Sequence, residues 1–324
     1  MSRLDRMDLK MIEKPVVIVG GGPAGIASAI WCCDLGLRTI LLDSEDKFGG
    51  QLFRIHNRIA NYPGIDAANG EQLRLAMLRT ADSFQFEQRP KTEVRKIETD
   101  PLNVVLADGE RIEASAIIIS TGVRRRSLDA KGVERFRGKG VIESGVKAKD
   151  EVQGKNVVIV GGGDAAVENA LILRENAKSV TVVHRRNSLS ARTEYAEPAL
   201  IDRKIRFLFN SKVEELIGSE DLEKILCRDL VTNDFISVDA DAILIRIGVE
   251  PNSEIFAGTI DRDDGGYIIT DRYGNTNVEG VYAVGDVANP VAPTIATAVG
   301  TAAMAAKQIV ANSKKNMDIL RKFE

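Results

Sequence analysis

The sequence predicts an α/β protein built from two parallel-sheet units, the second inserted into the first. Two observations predict this class. A run of apolar, β-branched residues followed by glycines and a helical pattern occurs twice, at residues 16–35 and 156–173. Each occurrence leads into a further apolar run, at residues 39–42 and 180–183. Strands that alternate with helices in this way are typical of parallel sheets covered by helices.

Length and composition are those of an ordinary globular enzyme. The chain has 324 residues, of which 44% are hydrophobic and 28% charged, with a formal net charge of −3. This length predicts about two domains, and the mild acidity gives no reason to expect nucleic acid or an anionic membrane as a partner. No apolar run approaches the roughly 18 residues of a membrane span. The N-terminus has no apolar core of a signal peptide, so we expect a cytoplasmic protein without membrane insertion.

The first glycine turn organises the chain. Val16–Val19 predicts a buried strand and Ile26–Leu35 a helix, with Gly20, Gly22 and Gly25 between them as G-x-G-x-x-G. The first glycine permits a tight turn, the second lets backbone N–H groups approach a pyrophosphate, and the third lets the helix pack closely on the strand. The positive end of the helix dipole then faces the phosphates.

An acid follows the next strand. Thr39–Leu42 ends at Asp43, close to the spacing expected for a carboxylate that binds a ribose hydroxyl. Together the turn and the acid predict a dinucleotide site, and the alternative is a glycine-rich turn without a ligand.

Further elements complete the first unit. Glycine and proline mark residues 47–52 and 61–64 as loops, and Glu71–Ser83 has helical spacing. Short antiparallel strands and one further buried strand follow, at Val94–Ile97, Asn103–Leu106, Arg111–Ile112 and Ala116–Ser120.

The opening pattern then returns. The strand Asn156–Val160 precedes a G-x-G-x-x-A turn, and Val167–Leu173 supplies the helix. The next strand, Val180–Val183, ends in the basic turn 184–186 rather than in an acid. Two matches in matching contexts are far more specific than one.

The remainder of the chain returns to the first unit. Later elements are predicted as three strands and a helix rich in small residues, at Ile205–Leu208, Lys224–Leu230, Ala242–Ile247 and Thr294–Ala311. We expect the first domain to comprise residues 1–123 and 250–324, and the second to comprise residues 124–249.

The cysteines do not indicate a disulfide framework. There are three, an odd number that fits a reducing compartment. Cys32 and Cys33 are adjacent and cannot form a Cys-x-x-Cys pair, so we interpret them as buried or half-buried thiols. Cys227 lies in a predicted strand, and we interpret it as a structural residue. We predict no metal site.

The motifs together resemble one family over nearly the whole chain. They are GGGPAG at 20–25, GGQL at 49–52, NYPG at 61–64, STG at 120–122, GGGDAAVE at 161–168, HRR at 184–186, IGVEPN at 247–252 and GD at 285–286. In order and spacing they resemble the low-molecular-weight thioredoxin reductase family of flavoproteins. The resemblance implies two Rossmann-like, three-layer ββα domains, FAD in the first, NADPH in the second, and a homodimer.

The resemblance also implies which residues bind FAD. It assigns the pyrophosphate and adenosine ribose, the flavin ring and the ribityl chain to residues of the first domain: Gly20, Gly22, Pro23, Ala24, Gly25, Asp43, Ser44, Gly49, Gly50, Gln51, Leu52, Asn61, Thr121, Gly122, Gly285, Asp286, Thr294 and Ile295. An acid after an apolar strand can accept hydrogen bonds from ribityl hydroxyls. The alternative for Asp286 is an ordinary helix N-cap.

The corresponding NADPH residues lie in the second domain: Gly161, Gly163, Asp164, Ala165, Glu168, His184, Arg185, Arg186 and Gly248. Arginines at the end of the second strand offer planar, permanently charged donors to a 2′-phosphate, where an acid would select NAD. The alternative is a solvated basic turn. Ser190 stands where the family has a further arginine, and whether Arg192 substitutes for it stays open.

The sequence departs from the family at the redox site. Thioredoxin reductases of this family carry Cys-x-x-Cys and an acid just before the second nucleotide-binding strand. Here that stretch runs from Ser144 to Lys147 as Ser-Gly-Val-Lys, followed by Ala148. Disulfide exchange requires a thiolate, so we do not expect thioredoxin reductase chemistry.

The functional types that share this fold and lack the cysteine pair include the thioredoxin-reductase-like ferredoxin/flavodoxin–NADP reductases. Those proteins place an aromatic residue of a C-terminal extension over the flavin. Phe323 is the candidate here, and the alternative is a frayed tail.

We therefore predict an FAD-dependent NADPH oxidoreductase that passes electrons from flavin directly to an acceptor, without a catalytic side chain. A ferredoxin or flavodoxin is one acceptor; a quinone, oxygen or a small disulfide is the alternative. An FAD- and NADPH-binding sensor or scaffold without turnover is the alternative of another class. A set of basic residues could steer an acidic carrier to the flavin: Arg54, His56, Arg58, Arg124, Arg125, Arg126, Lys147 and Lys149. The alternative is that these residues are scattered solvated charges.

Overall fold

The computed structural model describes residues 14–320, with side chains described through residue 313. Phe323, and with it the predicted aromatic contact to the flavin, lies outside the described residues. The chain divides into two compact units. The first contains the described residues through Arg124 and from Glu250 onward, and the second is Arg125–Val249.

The described elements are α-helices, strands and three short 3₁₀ helices. The α-helices are α1 (Pro23–Asp34), α2 (Gly70–Ala81), α3 (Gly145–Ala148), α4 (Asp164–Leu173), α5 (Thr193–Ile201) and α6 (Ile295–Leu320). The 3₁₀ helices are Gly50–Arg54, Glu254–Phe256 and Gly285–Val287. The strands are β1 (Val16–Val19), β2 (Thr39–Leu42), β3 (Glu87–Arg89), β4 (Val94–Thr99), β5 (Leu102–Leu106), β6 (Arg111–Glu113), β7 (Ala116–Ile119), β8 (Val123–Arg125), β9 (Val141–Ile142), β10 (Asn156–Val160), β11 (Ser179–Val183), β12 (Ile205–Leu208), β13 (Ser211–Ile217), β14 (Lys224–Asp229), β15 (Phe235–Asp239), β16 (Ala242–Ile245), β17 (Val249–Pro251) and β18 (Val281–Ala283).

The first unit has three layers. Its parallel sheet has the strand order β18-β7-β1-β2-β3, and a separate antiparallel sheet has the order β4-β5-β6. Along β1, Val16 and Ile18 face the core formed with the helices, whereas Val17 and Val19 face the core formed with the antiparallel sheet. Because successive side chains point to opposite faces, an uninterrupted apolar strand is buried on both.

The second unit repeats this architecture. Its parallel sheet has the order β12-β11-β10-β16-β9, and β13-β14-β15 form the antiparallel layer. Val157 and Ile159 of β10 pack on the helix side, and Val158 and Val160 pack on the antiparallel side. The predicted fold class is therefore confirmed for both units.

Most predicted elements are present, with shifted ends. The helix predicted to start at Ile26 begins at Pro23, since proline fits the first helical turn and lacks only an N–H that would have no helical partner. The segment predicted as a loop at residues 47–52 contains part of the 3₁₀ helix Gly50–Arg54, so that prediction was wrong there. The last helix continues past the predicted end at Ala311 to Leu320.

Within the described residues, no helix is both long enough and apolar enough to cross a membrane.

Candidate functional site

The first glycine turn has the shape that its spacing predicted. Gly20 has φ of +106°, and a Cβ there would lie 2.5 Å from the carbonyl oxygen of Ser120. A Cβ at Gly25 would lie 1.8 Å from the carbonyl oxygen of Gly20, so helix α1 packs directly on the turn. At Gly22 the nearest atom to such a Cβ is 3.9 Å away, the Cα of Gly50. The turn is thus least crowded at its middle glycine, where a Cβ would meet only an ordinary van der Waals contact and where backbone must approach a phosphate.

Asp43 is fixed beside this turn. Its Oδ2 accepts a hydrogen bond from the backbone N–H of Gly21 at 2.5 Å, and its Oδ1 accepts one from Glu45 at 2.8 Å. The carboxylate lies at the carboxyl end of β2, the position of a ribose-binding acid in this architecture.

Two distant segments meet the same turn. The backbone N–H of Gly49 donates to the carbonyl of Gly21 at 2.8 Å. A Cβ at Gly285 would lie 2.8 Å from the Cβ of Ala24, which places Gly285 against the start of α1. The fold therefore brings residues 20–25, 43, 49–50 and 285–286 together, as the resemblance implied.

Asp286 is a partly buried carboxyl group without a donor. Among the described residues no hydrogen bond or ion pair reaches its side chain, and burial raises its pKa. The predicted alternative, a side-chain N-cap, has no support, since no cap hydrogen bond is formed by Asp286. A half-buried acceptor of this kind fits a ligand that supplies hydroxyl donors, and this is the observation on which the fit to FAD rests.

Other predicted FAD residues shape the loops around the turn. The side-chain amide of Gln51 donates to the carbonyl of Val123 at 2.6 Å, and the hydroxyl of Thr121 donates to the carbonyl of Asn252 at 2.6 Å. Thr294 accepts a hydrogen bond from the N–H of Thr297 just before α6, which begins at Ile295.

Four predicted residues stand apart from these contacts. Leu52 is fully buried in the helix-side core, so its side chain supports the 3₁₀ helix. Ser44 and Asn61 are exposed. Gly122 has φ of +64° and lies between β7 and β8.

The second glycine turn repeats the first. Gly161 has φ of +144°, and a Cβ there would lie 2.2 Å from the carbonyl oxygen of Arg246. A Cβ at Gly163 would meet only the Ser190 hydroxyl, in ordinary contact at 3.7 Å, and α4 begins immediately after this glycine at Asp164. Ala165 and Glu168 follow on this helix, exposed and half-buried respectively, and Gly248 is exposed with φ of +93°.

His184 occupies the place in the second unit that Asp43 occupies in the first. It is 8% exposed, and its imidazole ring lies against Gly162, where a Cβ would be 2.4 Å from the ring. Burial lowers the pKa of His184, and the positive charges of Arg185 and Arg186 lower it further, against a hydrogen bond to the backbone of Ser188 that raises it. The ring is therefore neutral at pH 7. Both arginines are exposed at the end of β11.

Residues 190–192 fold over the second glycine turn, which the sequence did not predict. The N–H groups of Ser190 and Ala191 donate to the carbonyl of Gly162 at 2.8 and 3.1 Å. The backbone N–H and Nε of Arg192 donate to the two carboxylate oxygens of Asp164 at 2.7 and 2.6 Å. We call residues 190–192 the strap.

The comparisons with known proteins agree with this geometry. The family model described as "Pyridine nucleotide-disulphide oxidoreductase" matches residues 14–308. The chain belongs to this family. A thioredoxin reductase of Peptoclostridium acidaminophilum is 35% identical over 301 residues, covering 90% of this chain and 95% of that protein. A "34.2 kDa protein in rubredoxin operon" of Clostridium pasteurianum is 31% identical over 293 residues, covering 90% of this chain and 94% of that protein.

The solved structure of Lactococcus lactis thioredoxin reductase (FR conformation) superposes with a TM-score of 0.81 at 31% identity, over 93% of this chain and all of that chain. The present member of the pyridine nucleotide-disulphide oxidoreductase family is thus a flavin-dependent oxidoreductase of the thioredoxin reductase type. It binds FAD and uses NADPH.

In this family member, the segment expected to hold a redox pair is a capped helix. The Ser144 side chain accepts a hydrogen bond from the N–H of Lys147 at 3.5 Å, which caps α3. The side chain of Asn169 accepts from the N–H of Gly145 at 3.1 Å. Just before it, the carbonyl of Glu143 accepts from two arginine side chains, those of Arg125 and Arg246.

The three cysteines are poor thiolates. Cys32 and Cys227 are fully buried, and burial raises the pKa of Cys32 strongly and that of Cys227 to about 12. Cys33 is partly exposed, its pKa is also raised by burial, and its thiol contacts the carbonyl of Gln85 at 3.5 Å.

Several of the basic residues predicted to steer an acidic carrier are already paired with acids. Arg58 pairs with Asp66 at 2.9 Å, and Arg124 pairs with Glu250 at 2.7 Å and with Glu254. The remaining pairs of this set are Arg125 with Glu143 and Lys149 with Glu175. These contacts reduce the net positive charge that steering would use.

Proposed function

We propose that the protein transfers electrons from NADPH through FAD directly to an external acceptor, without a redox disulfide of its own. The observation that carries this proposal is the capped segment Ser144–Lys147, which has no thiol at the position where the family has two. The N–H groups of Gly145 and Lys147 are already bonded to oxygens of Asn169 and Ser144.

The remaining thiols support the same proposal. Disulfide exchange begins from a thiolate, and its rate depends on access to that sulfur. Cys32 and Cys227 are fully buried with raised pKa values, so neither provides an accessible thiolate at neutral pH. Cys33 is partly exposed, but burial raises its pKa as well, so reduction of a disulfide substrate would require either a thiol that is largely protonated at neutral pH or a route that bypasses protein sulfur.

We assign FAD to the first unit. The uncrowded backbone at Gly22 would receive the pyrophosphate, Asp43 the adenosine ribose, and the donor-free carboxylate of Asp286 the ribityl hydroxyls. When bound, FAD supplies hydride acceptance from NADPH and onward electron transfer. Within this assignment the chain's own residues bind and orient, and no side-chain acid or base is required.

We assign NADPH to the second unit. Gly163 and the N-terminus of α4 would receive the pyrophosphate, as in the first unit. Arg185 and Arg186 would receive the 2′-phosphate, because both are exposed and permanently charged at the end of β11. Neutral His184 lets this turn pack against Gly162 without adding a buried charge.

For the acceptor we propose a small one-electron carrier protein such as ferredoxin or flavodoxin. The name of the Clostridium pasteurianum relative refers to the operon of another such carrier, rubredoxin, and this supports the class. Steering by charge would depend on basic residues such as Arg54 and Lys147, for which no salt bridge is found among the described residues. We further propose a cytoplasmic homodimer.

An anaerobic titration separates enzymes from sensors. We expect addition of NADPH to bleach the flavin absorbance within seconds. Tight binding of NADPH without bleaching would contradict the proposed electron transfer and would favour a sensor or scaffold.

An acceptor panel then tests the finer proposal. NADPH-driven reduction is measured for ferredoxin, flavodoxin, rubredoxin, a quinone, oxygen and a small disulfide, with thioredoxin as the control substrate. We expect turnover with a carrier protein, falling as salt rises if charge steers the encounter. Activity only with a quinone, oxygen or a small disulfide would contradict the carrier, and thioredoxin turnover would contradict the whole proposal.

A further inference from the structure

We propose that Arg192 is a positioning residue for the pyrophosphate of the nicotinamide dinucleotide, acting by neutralising Asp164 and closing the strap over the glycine turn. This inference rests on the proposed assignment of NADPH to the second unit. In this proposal Arg192 does not substitute for the family arginine whose position Ser190 occupies, and it acts through Asp164 instead.

The contacts of Arg192 define its orientation. Its backbone N–H and Nε hold both oxygens of Asp164, and its side chain also pairs with Glu194 at 2.9 Å. The guanidinium carbon lies 5.0 Å from the centre of the Tyr195 ring, with a further contact to the Tyr195 hydroxyl at 3.4 Å. The guanidinium is thus held by Asp164, Glu194 and Tyr195.

The position of Asp164 explains why its carboxylate needs Arg192 as a cationic partner. It is the first residue of α4, directly after Gly163, so it lies at the helix end that this architecture uses for an anionic pyrophosphate. A carboxylate there suits the helix dipole but repels a second anion. Hydrogen bonds from the backbone and side chain of Arg192 lower the pKa of Asp164, so the acid stays ionised and needs its cation.

The strap couples this charge pair to the turn itself. Ser190 and Ala191 donate two backbone hydrogen bonds to the carbonyl of Gly162, and the Ser190 hydroxyl adds a third contact at 3.3 Å. Arg192 fastens the other end of the strap to Asp164. Both ends of the short segment Gly162–Asp164 are therefore held in place before a ligand arrives, which reduces the ordering required on binding.

A set of four variants of the flavin-loaded protein tests the inference: Arg192→Ala, Asp164→Asn, the double variant, and Arg192→Lys. The dissociation constants of NADP⁺, NADPH and NADH are measured together with steady-state kinetics. We expect Arg192→Ala to weaken NADPH and NADH alike by about threefold to tenfold, since one unpaired charge a few ångströms away in water is worth about that much. The value of kcat should change little.

The double variant shows whether the effect passes through Asp164. With Asn at position 164 there is no carboxylate to neutralise, so we expect Arg192→Ala to cost less than about twofold in that background. A loss of equal size in both backgrounds would overturn the inference. A loss for NADPH but not for NADH would also overturn it, because that pattern belongs to a 2′-phosphate ligand.

Two control variants distinguish loss of charge neutralisation from a general structural effect. Arg228→Ala removes another arginine–carboxylate pair, the half-buried pair with Glu214 at 2.7 Å, from the antiparallel layer of the same unit, and should leave all three dissociation constants unchanged. Arg192→Lys retains the charge and should recover most of the affinity, whereas equal losses with Lys and Ala would contradict charge neutralisation. If the wild-type protein does not bind NADPH, the proposed function itself fails. If the wild-type protein binds NADPH normally and Arg192→Ala binds it equally well, only the role proposed for Arg192 fails.

Discussion

Adding one carbon atom at Gly25 tests the close packing of the first glycine turn. In Gly25→Ala the new Cβ would begin 1.8 Å from the carbonyl oxygen of Gly20 and must move to at least 3.0 Å, a shift of about 1.2 Å. That shift displaces the start of α1 from the turn that contains Gly20 and Gly22. Overpacking of this kind costs about 1–3 kcal/mol, against which alanine recovers up to about 1 kcal/mol of helix propensity.

We therefore expect Gly25→Ala to lower the thermal midpoint by a few degrees and to reduce FAD content well below the one per chain expected of the wild type. Flavin absorbance per chain and differential scanning calorimetry measure both effects. Ala166, the corresponding residue in the second unit, is the matched control: Ala166→Gly should cost about 1 kcal/mol of helix stability and leave FAD content unchanged. Full FAD occupancy and an unchanged midpoint in Gly25→Ala would refute the argument that close approach requires this glycine.

Three other predictions concern the ligands and the thiols. Replacing both Arg185 and Arg186 by glutamine should lower the preference for NADPH over NADH by about 2–4 kcal/mol, or at least about 30-fold, and an unchanged ratio of kcat/KM values would identify a solvated turn. Asp286→Asn should weaken FAD binding yet raise the thermal midpoint of the apoprotein at pH 7. The pKa of Asp286 is raised in the folded state, so its ionisation reduces the stability of the fold as the pH rises above 3.8, the pKa of the carboxyl in the unfolded chain. The stability gained by Asp286→Asn should therefore vanish below that pH. Alkylation with iodoacetamide should leave NADPH-driven turnover within about twofold, since Cys33 alone is partly exposed, and abolished turnover would show that a thiol participates.

The parts of the fold whose ends the sequence predicted best are strands buried on both faces and turns marked by glycine. The predicted bounds of β1, β2 and β10 match the observed ones, and these strands are buried almost throughout. The glycine turns follow from spacing alone, because the φ values of Gly20 and Gly161 exclude other residues in practice.

Elements on the surface were harder to predict. Helix α5 has a single buried residue and contains Pro198, so neither periodicity nor propensity marks it. Strand β13 was not predicted, because adjacent Glu214 and Glu215 break the alternation of apolar and polar residues at a bulge in the strand. Helix α3 has only four residues and depends on the side chain of Asn169, which is distant in sequence.

The candidate site divides in the same way. Residues within one turn, such as Gly20 and Asp43, are predictable because strand, turn and acid are neighbours along the chain. The strap is not, since its contact with Asp164 joins residues 28 positions apart and needs the return of the chain after β11. The pairing of Arg124 with Glu250 is a contact of that kind as well, and it changed the expected surface charge.

The opposite charges at the ends of β2 and β11 have a consequence for how the protein handles two ligands that share an ADP half. In the proposed assignment, each site must reject the other's ligand in a cell that contains both. Asp43, which accepts a hydrogen bond from the N–H of Gly21, would repel a 2′-phosphate and so disfavour NADPH at the FAD site. The turn that begins with His184 presents the cations Arg185 and Arg186 and no carboxylate for an unphosphorylated ribose. FAD would therefore gain less binding free energy there than NADPH would. One structural position, filled differently in the two halves of a repeated fold, would thereby reduce competition between the two cofactors for each other's site.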